Sequence, residues 1–200
     1  MAPQLYLITP TDAAPESFPN TLMRVLSAGE FAAILVARGE RDAAAYEKLA
    51  AAIVHVGQGA GCAVLLEDDA QLARRLGADG VHVTAGPAAL KAAIAALKPA
   101  MIVGAGHISS RHDAMTAGEM DVDYVFFGPI AGPADPRAPE LAQWWAQTFE
   151  IPAVLSLPAA APGALDAGGV EFLALSQSLW AAPDPAAALR ALLPLLEGVS

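Results

Sequence analysis

Leu76-Gly77-Ala78-Asp79-Gly80-Val81-His82 and its later echo Met120-Asp121-Val122-Asp123-Tyr124-Val125-Phe126 decide how this chain is read. Each ends an apolar helical pattern, turns through small or acidic residues and enters a short apolar run. Ala167-Gly168-Gly169-Val170-Glu171-Phe172-Leu173 is a third, looser copy. Glycine just past a helix is its usual terminator, because it adopts the left-handed conformation without a Cβ clash. A repeated helix-to-strand turn implies a repeated strand–helix unit.

Working outward from these turns, short apolar runs recur at Leu5–Ile8, Ala32–Val36, Ala63–Leu66, Gly80–Val83, Met101–Val103, Tyr124–Phe127, Ala153–Leu155 and Phe172–Leu175. They are nearly continuous rather than alternating, as in parallel strands covered on both faces. The intervening segments predict helices over Thr21–Ala28, Arg41–Gly57, Ala70–Leu76, Pro87–Leu97, Ser110–Ala117, Glu140–Thr148, Gly163–Asp166 and Pro185–Leu196. About eight such units in this length predict an α/β fold, a single (β/α)8 TIM barrel over residues 1–200. The competing architecture, an open doubly wound sheet, calls for fewer strands and a Gly-x-Gly-x-x-Gly turn after the first strand, which this sequence lacks. The Pro-rich stretches Pro10–Pro19 and Pro129–Pro139 read as loops at the C-terminal mouth, where such barrels place ligand chemistry.

Composition narrows the function classes. With 55% apolar and 16% charged residues the chain has a sizeable core. A net charge of −10 repels nucleic-acid backbones, so no nucleic-acid partner is expected. A small phosphorylated ligand stays compatible, since a nest of backbone N–H groups holds phosphate regardless of net charge. The lone cysteine, Cys62, opens an apolar run and reads as a buried structural thiol. The N-terminus lacks a signal-peptide pattern, and no apolar run reaches the ~20 residues of a membrane span. The expectation is a soluble cytoplasmic protein with no membrane partner.

Candidate chemistry clusters after the strands. Glu67-Asp68-Asp69 follows the third run, and carboxylates there suit Mg²⁺, which takes oxygen ligands and bridges to phosphate. Asp69 and Asp68 are alternatively helix caps. His82 ends the fourth run, either as an acid/base at the mouth or as a core histidine satisfied by a backbone carbonyl. His107 follows Gly104-Ala105-Gly106, a small-residue turn that admits a ligand close to the backbone or is an ordinary loop. Arg38 and Arg137 are phosphate contacts or solvated charges, and Gly128 opens the sixth loop. Ser176 lies where such barrels bind phosphate, or caps the last helix. In the pair Trp144-Trp145, one ring is expected against the barrel and the other at a possible homodimer contact.

At these residues the sequence resembles the thiamine phosphate synthases and the related thiazole tautomerases. Leu5-Tyr6-Leu7-Ile8-Thr9-Pro10 resembles their first strand, and Leu65-Leu66-Glu67-Asp68-Asp69 their Ile-Asn-Asp-Arg segment. Leu76 to Val83 is similar to their Gly-Ala-Asp-Gly-Val-His-Leu, and Ile102 to His107 to their Gly-x-Ser-x-His turn. Asp123 to Ile130 resembles Asp-Tyr-Val-x-x-Gly-Pro-Val. The resemblance implies joining of a pyrimidine methyl diphosphate to a thiazole phosphate, with Asp68 on Mg²⁺, Glu67 standing where the family has an asparagine, and Arg38 near the diphosphate. It implies Gly106, Gly128, Ser156 and Ser176 around the phosphorylated substrates, with His82, His107 and Asp68 as catalytic candidates. The mouth departs from the family pattern. Of Gln-x-Arg-x-Lys only Arg38 is left; Gly106 replaces a serine; Gly132 to Arg137 replaces Thr-x-Thr-Lys; and Leu155-Ser156-Leu157-Pro158 replaces Ile-Gly-Gly-Ile. Three readings follow: a synthase-like transferase with an altered site, a tautomerase-like isomerase using His82 or His107, or a catalytically silent barrel that binds a small phosphorylated ligand.

Overall fold

The computed structural model describes residues 2–158 and 167–197. Eight strands, β1 (Gln4–Ile8), β2 (Ala33–Val36), β3 (Ala63–Glu67), β4 (Gly80–Val83), β5 (Ile102–Ile108), β6 (Tyr124–Phe127), β7 (Ala153–Ser156) and β8 (Phe172–Leu175), close in sequence order into a parallel barrel. Around it lie α1 (Phe18–Leu26), α2 (Ala43–Gly59), α3 (Ala70–Leu76), α4 (Pro87–Leu97), α5 (Arg111–Gly118), α6 (Ala138–Thr148), α7 (Gln177–Trp180) and α8 (Pro185–Glu197). This is the (β/α)8 barrel that the repeated turns predict. The helix expected at Gly163–Asp166 lies outside the described residues. No helix among those described is long and apolar enough to cross a membrane.

Strand periodicity sends successive side chains to opposite faces. Tyr6, Ile8, Leu35, Leu65, Tyr124, Phe126, Val154 and Ala174 fill the lumen. Their neighbours Leu7, Ile34, Val64, Leu66, Val125 and Phe127 pack against the helices. Both faces are dry, which is why the runs read as continuous. Cys62 is buried, as expected.

The repeated turns share one physical task. The Asp79 carboxylate accepts the Val64 N–H at 2.7 Å, Asp123 accepts that of Val103 at 2.7 Å, and Glu171 accepts that of Ala153 at 2.8 Å. Each acid immediately precedes an even-numbered strand and ties down the base of the odd-numbered strand beside it. Two residues before each acid stands a residue with positive φ: Gly77 at 68°, Asp121 at 65° and Gly169 at 82°. Between them lies a buried apolar side chain, Ala78, Val122 or Val170. The third copy is offset by one, with Glu171 rather than Val170 the equivalent of Asp79. Asp123 also pairs with Lys98 at 2.6 Å. Asp123→Ala is therefore expected to cost about 2 kcal/mol in urea unfolding, the scale of a hydrogen bond to a charged acceptor.

Several boundaries differ from expectation. Pro19 and Pro139 lie in the first turns of α1 and α6, not in loops. Proline's missing N–H costs nothing there, because those donors have no intrahelical acceptor. The fifth strand runs on through Gly104-Ala105-Gly106 to Ile108, with a register shift between Ala105 and Ile108.

Candidate active site

The mouth is built two residues beyond the lumen-facing apolar layer. Leu35, Leu65, Phe126, Val154 and Ala174 are followed at that spacing by Ala37, Glu67, Gly128, Ser156 and Ser176. All but Glu67 are small, and Ser176 lines a cleft of about 450 Å³, a cup at the mouth that Thr9, Ile130 and Gly132 also line.

The three acids after β3 do not act as a set. Asp69 caps α3, accepting the Leu72 N–H at 2.9 Å, and stands 3.9 Å from the Arg38 guanidinium. Glu67 is half-buried and accepts the Arg38 N–H at 2.6 Å. Burial, reinforced by the charge of Asp68, raises the Glu67 carboxyl above its ordinary range, although the Arg38 amide and charge oppose this. Asp68 is exposed, with φ at 51°; it accepts the Thr84 N–H at 2.7 Å, the Ala85 N–H at 3.3 Å and the Thr84 hydroxyl. Among the described residues no group of three or more His, Cys, Asp or Glu is placed to hold a metal. Glu67 and Asp68 remain as adjacent oxygen donors whose negative charge Arg38 only partly offsets. That donor set fits Mg²⁺, which is commonly held by one or two carboxylates, with water and phosphate completing its shell.

His82 lies fully buried inside the lumen. Its Nδ1 is 2.8 Å from the Tyr124 hydroxyl, which is 2.9 Å from the Tyr6 hydroxyl. It is thus a core histidine whose Nδ1 meets a tyrosine rather than a backbone carbonyl, while its Nε2 has no partner among the described residues. Phe126 packs edge-on against it at 4.8 Å. Burial drives the imidazole down to about 4 against the opposing charge of Asp68, which does not suit a group exchanging protons near neutrality. The unfolded chain therefore binds a proton near pH 6.5 that the folded protein refuses until about pH 4. Stability from this residue is complete above pH 6.5 and declines below it, by about 2 kcal/mol between pH 7 and pH 5. Urea unfolding at the two pH values should show that loss, and His82→Gln should lack it.

The glycines of β5 do not serve as the ligand turn read from sequence. A Cβ on Gly104 would lie 1.9 Å from Tyr124 Cζ, and one on Gly106 would lie 2.4 Å from His82 Nε2. They admit protein rings. His107 is exposed, has φ at 57°, and faces a cleft of about 270 Å³ shared with Leu90, His112 and Asp113, between α4 and α5. His82 and His107 are therefore not brought together.

Other candidates are also placed. Arg137 pairs at 3.2 Å with Asp135 on its own loop. The Ser156 hydroxyl donates to the Pro129 carbonyl at 2.7 Å, fastening the sixth loop to β7. The buried Ser176 Oγ has no hydrogen-bond partner among the described residues; Ser176 lines a cleft of about 450 Å³ with Thr9, Ile130 and Gln177. Pro158 accepts the Ser178 N–H at 2.8 Å, tying the end of β7 to α7. Trp145 is buried, while Trp144 is half-buried beneath the Arg111 guanidinium at 4.8 Å.

Several contributors escaped the sequence reading. Arg41 donates to the carbonyls of Thr11 at 2.6 Å, Ala13 at 2.5 Å and Arg38 at 3.0 Å, locking the first two loops together. Nothing local distinguishes such an arginine from a solvated one. Thr84, which clamps Asp68, carries no local signal beyond following β4. Tyr6 and Tyr124 carried a signal, phenols at lumen positions of otherwise apolar strands.

Residues 5–171 match the family model described as thiamine monophosphate synthase. The chain is 39% identical to the thiamine-phosphate synthase of Hyphomonas neptunium, covering 98% of this chain and 95% of that protein. It is 34% identical to the thiamine-phosphate synthase of Rhodospirillum centenum, covering 93% and 94% respectively. Its fold is similar to thiamine phosphate pyrophosphorylase from Pyrococcus furiosus, with a TM-score of 0.81 at 22% identity over 98% of this chain and 96% of that one.

Proposed function

The chain belongs to the thiamine monophosphate synthase family, and from this we propose that it joins a pyrimidine methyl diphosphate to a thiazole phosphate in the cup at its barrel mouth. The carrying observation is that Glu67, which accepts the Arg38 N–H at 2.6 Å, and Asp68, whose charge helps raise the Glu67 carboxyl, follow one another at the end of β3. In the reaction the bond between the pyrimidine methylene and the diphosphate oxygen breaks, with its electron pair leaving on the diphosphate. The thiazole nitrogen then supplies the pair for the new C–N bond. Mg²⁺ bound at Asp68 and Glu67 would supply Lewis-acid neutralisation of the leaving diphosphate.

The chain's own residues do the rest. The Arg38 side chain, 32% exposed, offers a guanidinium to the leaving group at the rim of the cup. The small floor residues Gly128, Ser156 and Ser176 let planar rings lie close to the backbone, and Ser176, whose hydroxyl has no hydrogen-bond partner among the described residues, lines the cleft that a phosphate would enter. Isomerase chemistry draws no support from the histidines, one sealed in the lumen and the other facing the α4–α5 cleft. The altered mouth, with Arg137 held by Asp135, leaves fewer cations on the diphosphate than the family pattern carries.

Titration calorimetry with the pyrimidine diphosphate, beside an assay for thiamine phosphate formation, tests this. Binding that requires Mg²⁺, and product formed, are expected. Binding of the thiazole phosphate alone would point to an isomerase, and binding of neither ligand to a silent barrel; each sinks the synthase reading.

A further inference from the structure

One buried side chain joins the two strand ends from which the proposed site is built. Tyr46, on α2, is fully buried, and among the buried residues of that helix it alone carries a polar side-chain atom. Leu49 and Ile53, further along, fill the same layer with hydrocarbon. The Tyr46 hydroxyl donates to the Val36 carbonyl at 2.7 Å and accepts the Glu67 N–H at 2.7 Å. Val36 is the last residue of β2 and Glu67 the last of β3. The two roles cannot be exchanged, because a carbonyl only accepts, an N–H only donates, and burial holds the phenol protonated. The phenol oxygen is thus fixed between two backbones.

The ring of the same residue carries the cation. Arg38 Cζ lies over its face, 5.2 Å from the centroid, where the ring quadrupole attracts a guanidinium. The Arg38 main chain is held separately, its N–H by the Glu67 carboxylate at 2.6 Å and its carbonyl by Arg41 at 3.0 Å. The guanidinium stands 3.9 Å from Asp69, too far for a hydrogen bond, so the Tyr46 face is the surface on which it rests. The backbone that carries Glu67 also carries Asp68, and a shift of one moves both acids. We propose that Tyr46 is a positioning residue for the proposed reaction: its hydroxyl sets the end of β3, and with it Glu67 and Asp68, against the ring that sets Arg38, so that a cation-bound diphosphate meets acids and guanidinium at one fixed separation. The identity of the bound group rests on the proposed function; the coupling of the two strand ends rests on the contacts alone.

The experiment compares the wild type with Tyr46→Phe, which keeps the ring under Arg38 and removes the oxygen. In titration calorimetry the dissociation constant for inorganic pyrophosphate plus Mg²⁺ should rise about tenfold in the variant, the scale of one hydrogen bond, with that for thiazole phosphate unchanged. A residue that only fills the core would lower the urea midpoint and leave both constants alone. Equal constants in the two proteins therefore overturn the inference, and so does an equal rise for both ligands. NMR of the wild type needs no variant to fold. The guanidinium protons of Arg38 should resonate upfield, shielded by the ring, and the Glu67 amide proton should exchange slowly. A freely rotating Arg38 or a rapidly exchanging Glu67 amide overturns the inference. Pyrophosphate that fails to bind the wild type overturns the proposed function and the positioning role together, while those resonances still decide whether Tyr46 couples the strand ends.

Discussion

Gly104→Ala is expected to destabilise the barrel by about 4 kcal/mol, or to prevent folding, with a urea midpoint far below that of the wild type. The added methyl would lie 1.9 Å from Tyr124 Cζ and 2.4 Å from its hydroxyl oxygen. No rotamer relieves this, because the phenol is walled in by Tyr6 at 5.8 Å and His82 at 5.8 Å between ring centroids. Overpacking of a filled core costs ~3 kcal/mol at this severity. Pushing the ring aside also breaks its bonds to Tyr6 and His82, adding ~1 kcal/mol. Gly59→Ala is the control. Its Cβ would meet nothing within 4 Å, at the end of α2, and alanine there should be neutral or slightly stabilising. A Gly104→Ala protein as stable as the wild type would show that the lumen is not packed as described.

Asp68 is expected to give the largest loss of activity. Its carboxylate has two claims on it, the clamp to Thr84 and Ala85 and the proposed cation. Asp68→Ala removes both, whereas Asp68→Asn keeps an oxygen to accept the Thr84 N–H but carries no charge. Losing one charge-assisted contact to the metal–diphosphate group, at ~3 kcal/mol, corresponds to about 100-fold in kcat/KM. Both variants should show that loss, with the unfolding free energy of Asp68→Asn staying near wild type. An active Asp68→Asn would reduce Asp68 to a loop clamp and remove the basis for a metal at this position.

The division between what was legible and what was not follows the reach of each interaction. The barrel was legible because its signals are local. A positive-φ residue, a buried apolar residue and an acid recur at Gly77-Ala78-Asp79, Asp121-Val122-Asp123 and Gly169-Val170-Glu171 wherever a helix must hand over to a strand. The Asp69 cap was legible for the same reason, since its acceptor and donor lie three residues apart. The site was not, because closing the barrel makes neighbours of residues far apart in the chain. Tyr6 meets Tyr124 across 118 positions, and Tyr124 meets His82 across 42. Gly104 and Gly106 looked like a turn made for a ligand, and only the packed lumen shows that they make room for two rings. The acids at 67–69 looked like one ligand set; backbone geometry sent each to a different partner. By itself the sequence determined that this chain is a barrel and which ends of its strands form the mouth, because strand period and turn chemistry are properties of adjacent residues. Only the tertiary structure decided what each polar group at that mouth faces, because that depends on which strands closure sets side by side.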